Sequence, residues 1–157
     1  MRFEEVAEVL DALADAGVRS WVGGGWGVAV LVGRQTRQHR DLDLAVDADQ
    51  LLTCMDTLRR LGYVTETDDL PVRIELAAAG RGWVDVHPVT FDAAGHGRQA
   101  AHDGEFHYPP DAFTSGTLHG RRIQCLSAIQ QQAFHGGYDL QAKDHHDLAQ
   151  LRDFESP

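Results

Sequence analysis

Cysteine is nearly absent. Two thiols, Cys54 and Cys125, in a chain of 157 residues cannot build a disulfide framework. They also lack the close spacing of a metal-binding pair, and they suit a reducing compartment. Long apolar runs are missing too. None approaches the roughly 18 residues that a membrane-spanning helix needs. The first ten residues, MRFEEVAEVL, are acidic where a secretory signal would be basic and then apolar. These absences predict a cytoplasmic protein. Positive charge is the third deficit. Fourteen Lys and Arg face 24 Asp and Glu, a formal net charge of −10. That balance argues against binding nucleic acid without sequence specificity or an anionic membrane, both of which require a basic face. Metal ions and cationic small molecules suit it better. No repeat, linker or low-complexity segment breaks the chain. The length then predicts one domain over residues 1–157, with a helical C-terminal part from about residue 127.

What is present is a mixture of helical and strand periods. Phe3, Val6, Val9, Leu10, Leu13 and Ala14 mark an amphipathic helix stopped by Gly17. A short strand is expected over Arg19–Val22. The Gly23-Gly24-Gly25 run then leads into a buried helix over Trp26–Val32. Asp41-Leu42-Asp43-Leu44-Ala45-Val46 alternates as a strand does. Asp49 is placed to cap a helix carrying Leu51, Leu52, Met55, Leu58 and Leu61. Val72–Ala78 and Trp83–Val89 read as strands joined through Ala79-Gly80-Arg81-Gly82. Residues 92–107 show no period and read as loop or short irregular strands. His119-Gly120 marks a turn before a strand into Cys125. Ser127 opens a helix ending at Gly136-Gly137, and a last helix covers about Gln141–Phe154. This mixture predicts an α+β class with one mixed, mostly antiparallel sheet flanked by helices.

The chemistry concentrates in the middle. On a strand, alternate residues share a face, so Asp41 and Asp43 stand side by side with Cα atoms about 6.6 Å apart. Leu42, Leu44 and Val46 take the other face. Neighbouring carboxylates repel unless a cation lies between them, and hard divalent ions with oxygen ligands answer that need. Gly24 and Gly25 lie before a helix whose N-terminus can hold a phosphate. Arg37, His39 and Arg40 supply cations suited to a triphosphate. Asp85 and His87 share one face of Trp83–Val89. If that strand lies beside Asp41–Asp43, three carboxylates converge.

A glycine pair, a helix, an Asp-x-Asp strand and a third acidic strand residue resemble the nucleotidyltransferase superfamily. The segments Gly24-Gly25-Trp26-Gly27-Val28, Gly33-Arg34-Gln35-Thr36-Arg37, His39-Arg40-Asp41-Leu42-Asp43-Leu44 and Val84-Asp85-Val86-His87-Pro88 narrow the likeness. They resemble the small lincosamide nucleotidyltransferases and, more loosely, the aminoglycoside 2″-nucleotidyltransferases. Cys125-Leu126-Ser127, Phe134-His135-Gly136-Gly137-Tyr138-Asp139-Leu140 and Asp144-His145-His146-Asp147 agree with this. The likeness runs from about Val22 to Leu151. It implies transfer of AMP, or another nucleoside monophosphate, from ATP or a related triphosphate to a hydroxyl of a small molecule, with release of pyrophosphate. Asp41, Asp43 and Asp85 would hold two Mg²⁺ ions, and Asp85 would also accept the proton of the attacking hydroxyl. Ala29 and Ala45 depart from the acidic residues that relatives carry there. Each departure removes negative charge near the cleft, which weighs against a polycationic acceptor.

Several residues carry two readings. Glu75 either faces the cleft to bind substrate or pairs with Arg73 on an exposed strand. His87 either supports Asp85 or is a half-buried histidine before Pro88. His135 and Tyr138 either line the acceptor pocket or cap and pack a helix end. Trp26, following the glycines, is the candidate to shape the nucleotide pocket. Asp144-His145-His146-Asp147 looks like a metal cluster, but only Asp144 and Asp147 share a helix face. Other readings of the chain are an antitoxin-like partner module of the same fold, or nucleotidyl transfer onto a protein or tRNA. A domain of this length has a radius of gyration of about 15 Å. That predicts an open cleft, which a second subunit of a homodimer could complete.

Overall fold

The computed structural model describes residues 1–134 and 141–155. The chain runs α1 (Phe3–Asp15), β1 (Ser20–Val22), α2 (Gly24–Val32), β2 (Asp41–Asp47), α3 (Leu51–Arg60), β3 (Val64–Asp69), β4 (Arg73–Ala77) and β5 (Trp83–Phe91). It continues with β6 (Gly97–Ala101), β7 (Gly104–Tyr108), β8 (Phe113–Leu118), β9 (Arg121–Leu126), α4 (Ala128–Phe134) and α5 (Ala142–Glu155). The sheet order is β3-β4-β5-β2-β1-β9-β8, and the β6-β7 hairpin continues from the far end of β5. The β2–β5 and β1–β9 pairs are parallel and the others antiparallel. The fold is therefore the expected α+β class with a mixed, mostly antiparallel sheet. Among the described residues, no helix is long and apolar enough to cross a membrane.

The two-residue period of the central strands decides which face is which. Leu42, Leu44 and Val46 of β2 and Val84 and Val86 of β5 are buried beneath α1, α2 and α3, in one cluster with Val9, Leu13, Trp26, Met55 and Leu58. The opposite face carries Asp43 and Asp85. Further along it, Ala45, Val89, Tyr108 and Leu126 form a second, aromatic cluster with Trp21, Phe91, Phe113 and Phe134. Helix α2 is apolar on every side because β8 and β9, β2, and α4 and α5 all surround it.

Four local expectations shift. Gly24 and Gly25 are the first two residues of α2, with Gly23 as the cap, so the helix starts two residues before Trp26. The cap after β2 is Asp47, whose carboxylate accepts from the Asp49 amide at 3.1 Å, and a 3₁₀ turn over Ala48–Gln50 precedes α3. Strand β3 was not expected, since its sequence VTETDD has no apolar alternation. It pairs with β4 on one side only, and most of its residues are exposed. Residues 97–108, expected as loop or short irregular strands, form a regular hairpin. The expected end of the α4 helix at Gly136-Gly137 lies outside the described residues.

Both cysteines are fully buried, and burial pushes each thiol up to about 12. The thiolate is the reactive form. Neither thiol is expected to react with a thiol reagent in the folded protein near neutral pH, and both should react at once in denaturant. A native-state titration with a chromogenic disulfide checks this.

Candidate active site

Strands β2 and β5 run parallel in register from Asp41 opposite Trp83 to Asp47 opposite Val89, which sets Asp43 directly beside Asp85. Strand β4 flanks β5 on its other side and sets Glu75 beside Asp85, and β3 sets Thr67 beside Glu75. One row across the sheet thus reads Asp43, Asp85, Glu75, with about 4.8 Å between adjacent strands. Such a row of acids repels itself unless cations intervene. Ligand atoms of Asp43, Asp85 and His87 lie within 4.8 Å of one another. Asp41 shares their face one position back, and its carboxylate accepts from exposed Arg40 at 3.2 Å.

Asp85 is the most enclosed of these acids. Its Oδ2 accepts from Arg73 Nη1 at 2.6 Å, while its buried Oδ1 has no hydrogen-bond partner among the described residues. Burial raises its pKa, and the Asp43 charge adds to this. His87 and Arg73 oppose them without reversing the shift. For His87, burial pulls the pKa down, but the Asp43 and Asp85 carboxylates outweigh it and the net shift is upward. Sequence reasoning had given Arg73 only an exposed ion pair with Glu75. That separation is 4.0 Å, and the tighter partner is Asp85.

The N-terminus of α2 is bound to this row. The Gly23 amide donates to the Asp43 carbonyl at 2.9 Å. Gly24 has φ +53°, and a Cβ there would lie 2.0 Å from Asp43 Oδ2, so only glycine leaves that carboxylate its place. A Cβ on Gly25 would lie 2.3 Å from His39 Nδ1 and 2.6 Å from Arg37 Nη2, because the loop before β2 folds against this first turn. Gly23, Gly24, Asp43 and His87 line a cleft of about 250 Å³. Phe106, Tyr108, Phe134 and Leu126 give it an aromatic wall, with the Phe106 and Phe134 rings edge-on at 5.2 Å. Ala45 belongs to this wall. Ala29 does not, being fully buried in the main core. None of the aromatic wall was anticipated, since β6 and β7 carry no strand period to announce it.

The remaining candidates separate. Trp26 is fully buried and packs on Phe3 and on His39, 4.8 Å between ring centres, so it supports the site from within the core. Arg37 is held by α5, donating from Nε to Asp147 Oδ1 at 2.9 Å and from Nη2 to Asp147 Oδ2. That ion pair accounts for Asp147 in the Asp144–Asp147 segment. Asp144 is also buried, and its Oδ2 accepts from the Gln141 amide at 2.8 Å. Arg40 lies over Trp83 at the exposed rim and reaches Asp41 and, at 3.4 Å, Glu75. Glu75 also accepts from Thr67 at 3.3 Å. His135 and Tyr138 lie outside the described residues.

His39 is buried, and among the described residues neither ring nitrogen has a partner. Burial, aided by the Arg37 charge, lowers its pKa from 6.5 to about 4. Between those values an unfolded chain binds a proton that the folded protein refuses, so stability falls as pH falls through that window. The expected loss approaches about 3 kcal/mol at its acid end. Urea unfolding of the metal-free protein at neutral pH and at about pH 5 checks it, and His39→Leu should flatten that part of the curve.

The sequence matches the family model of aminoglycoside-2″-adenylyltransferases over residues 5–151. The chain belongs to that family. It is 36% identical over 150 residues to a lincosamide resistance protein of Staphylococcus haemolyticus, covering 95% of this chain and 93% of that one. A 2″-aminoglycoside nucleotidyltransferase of Klebsiella pneumoniae is 28% identical over 123 residues, 78% of this chain and 66% of that one. The fold matches the lincomycin-bound crystal structure of lincosamide antibiotic adenylyltransferase LnuA with a TM-score of 0.89 at 35% identity, covering 98% of each chain. This aminoglycoside-2″-adenylyltransferase family member is thus an enzyme, a nucleotidyltransferase of the antibiotic-modifying kind. Its reaction uses a nucleoside triphosphate and a divalent cation.

Proposed function

We propose that this enzyme transfers a nucleoside monophosphate, AMP in the first instance, to a hydroxyl of a lincosamide-type acceptor and releases pyrophosphate. One observation carries the choice of acceptor: Asp43, which stands beside Asp85, lines a cleft that Phe106, Tyr108 and Phe134 also line. A molecule joining a hydroxylated sugar to an alkylated ring suits such a mixed lining. The relative at 36% identity is a lincosamide resistance protein, which supports that class of acceptor over an aminoglycoside.

The donor set fits a hard divalent ion. Asp43 and Asp85 offer carboxylate oxygens side by side, and the buried Oδ1 of Asp85, without a partner among the described residues, can take a cation or a proton. Mg²⁺ bound there would screen the triphosphate charge and polarise the phosphorus under attack. Asp41, beside Asp43 on the same face, is the residue through which a second ion would be held.

The chain's own groups divide the rest of the work. Asp85, its pKa raised by burial, accepts the proton of the acceptor hydroxyl. Arg73 holds Asp85 in orientation through Oδ2, leaving Oδ1 for the chemistry. The first amides of α2 face the phosphates, and Arg40 at the rim meets the outer ones. The need for a nucleoside triphosphate supports a cytoplasmic setting for this activity.

The test is direct. Protein incubated with ATP, Mg²⁺ and lincomycin or clindamycin should yield drug heavier by one adenylyl group, and tobramycin should remain unmodified. Adenylylated tobramycin with unmodified lincosamides would reverse the assignment of the acceptor.

A further inference from the structure

Tyr108 is buried to 1% exposure, and Gln99 beside it to 6%. The Tyr108 hydroxyl donates to Gln99 Oε1 and, among the described residues, has no other hydrogen-bond partner. Burial keeps that phenol protonated. With its oxygen engaged by this donor, Gln99 turns its amide nitrogen to His87 Nδ1 at 3.2 Å. An amide NH₂ only donates, so Nδ1 must offer its lone pair, and the proton of the neutral ring lies on Nε2. The reversed amide would leave the buried Tyr108 proton without an acceptor. His87 Nε2 lies 3.7 Å from Asp85 Oδ2 and 3.9 Å from Asp43 Oδ1.

A histidine that ligates a metal gives its other ring N–H to an acceptor. Here the other ring nitrogen faces a donor. We propose that Gln99, oriented by Tyr108, is a specificity-determining residue: it fixes His87 as a donor toward Asp43 and Asp85 and so keeps the imidazole out of the cation's ligand set. The site then offers carboxylate oxygens alone, which suits Mg²⁺. An imidazole lone pair at the same point would complete a set of one nitrogen and two carboxylates, which suits Zn²⁺. This rests on Asp43 and Asp85 being the cation's ligands, as in the function proposed above, and requires nothing of the acceptor.

The tautomer is read from two-bond ¹H–¹⁵N correlations of labelled protein above the imidazole titration range, with His87 assigned by its loss in His87→Gln. Wild type should show the Nε2–H form. Gln99→Glu, whose carboxylate accepts from both Tyr108 and His87, should show the Nδ1–H form. Zn²⁺ affinity, measured without nucleotide by competition with a chromogenic chelator, should rise at least about tenfold in Gln99→Glu and return toward wild type in the Gln99→Glu, His87→Gln double variant. The double variant separates the tautomer from the added negative charge. An Nδ1–H ring in wild type overturns the inference, and so does a Zn²⁺ gain that persists in the double variant. If Gln99→Glu does not fold, the wild-type spectrum still decides, and Tyr108→Phe should show a mixture of both tautomers. Failure to modify lincosamides would leave these readouts unchanged, so the two proposals fail separately.

Discussion

Asp85→Asn is expected to give a folded protein that transfers nucleotide about a thousandfold more slowly than wild type, the scale of losing a positioned base. The substitution preserves shape. The amide oxygen it introduces can still accept from Arg73, which holds Oδ2 at 2.6 Å in the wild type, and the sheet register around it depends on backbone bonds. What goes is the charge that takes the hydroxyl proton and helps to bind the cation. Burial makes this acid the most suitable base in the row, since it raises the pKa toward the working range while Arg73 and His87 prevent a larger shift. The loss should fall on kcat, with the melting temperature close to wild type. Steady-state kinetics beside a thermal melt check both. A kcat within tenfold of wild type would remove Asp85 from the chemistry, and a collapsed melting curve would make it a structural residue.

Gly24→Ala is expected to cost about a hundredfold in kcat/KM through geometry alone, because misplacing a reacting group by about 1 Å has that effect. Two penalties meet at this residue. An L side chain at φ +53° costs about 1–2 kcal/mol, and its Cβ would lie 2.0 Å from Asp43 Oδ2 and 2.8 Å from Asp43 Cγ. Either the Asp43 carboxylate rotates out of the row or the α2 N-terminus lifts away. Both separate the phosphate-facing amides from the acid pair. Gly17→Ala is the control. It has φ +72° with nothing within 4 Å of a Cβ, so it carries the backbone penalty without the collision. Equal activity losses in the two variants would refute the collision at Asp43.

The acid pair shows why part of this site could be read in advance. Asp43 alternates with Leu42 and Leu44, and Asp85 with Val84 and Val86, so each strand announces which face is core and which is free. Strand β3 announces nothing, because an edge strand with exposed polar residues on both faces has no burial to encode. Gln99, Phe106 and Tyr108 were passed over for a related reason. Their hairpin alternates irregularly among Gly, Ala and His, and its role comes from folding back over the cleft. Arg37 shows a contact that no local pattern announces: it is paired with Asp147, 110 residues further on.

By itself the sequence determined the strand faces, the glycine turn into α2 and the supply of carboxylates, because these follow from residue type and short-range period. The tertiary structure decided which strands are neighbours. It set Asp43 against Asp85 through a parallel pairing across a crossover, turned Arg73 toward Asp85, placed Trp26 in the core and lined the cleft with aromatics. Pairing and register are settled by contacts between distant segments, whose energy depends on how the whole sheet buries its apolar face. No local pattern records that balance.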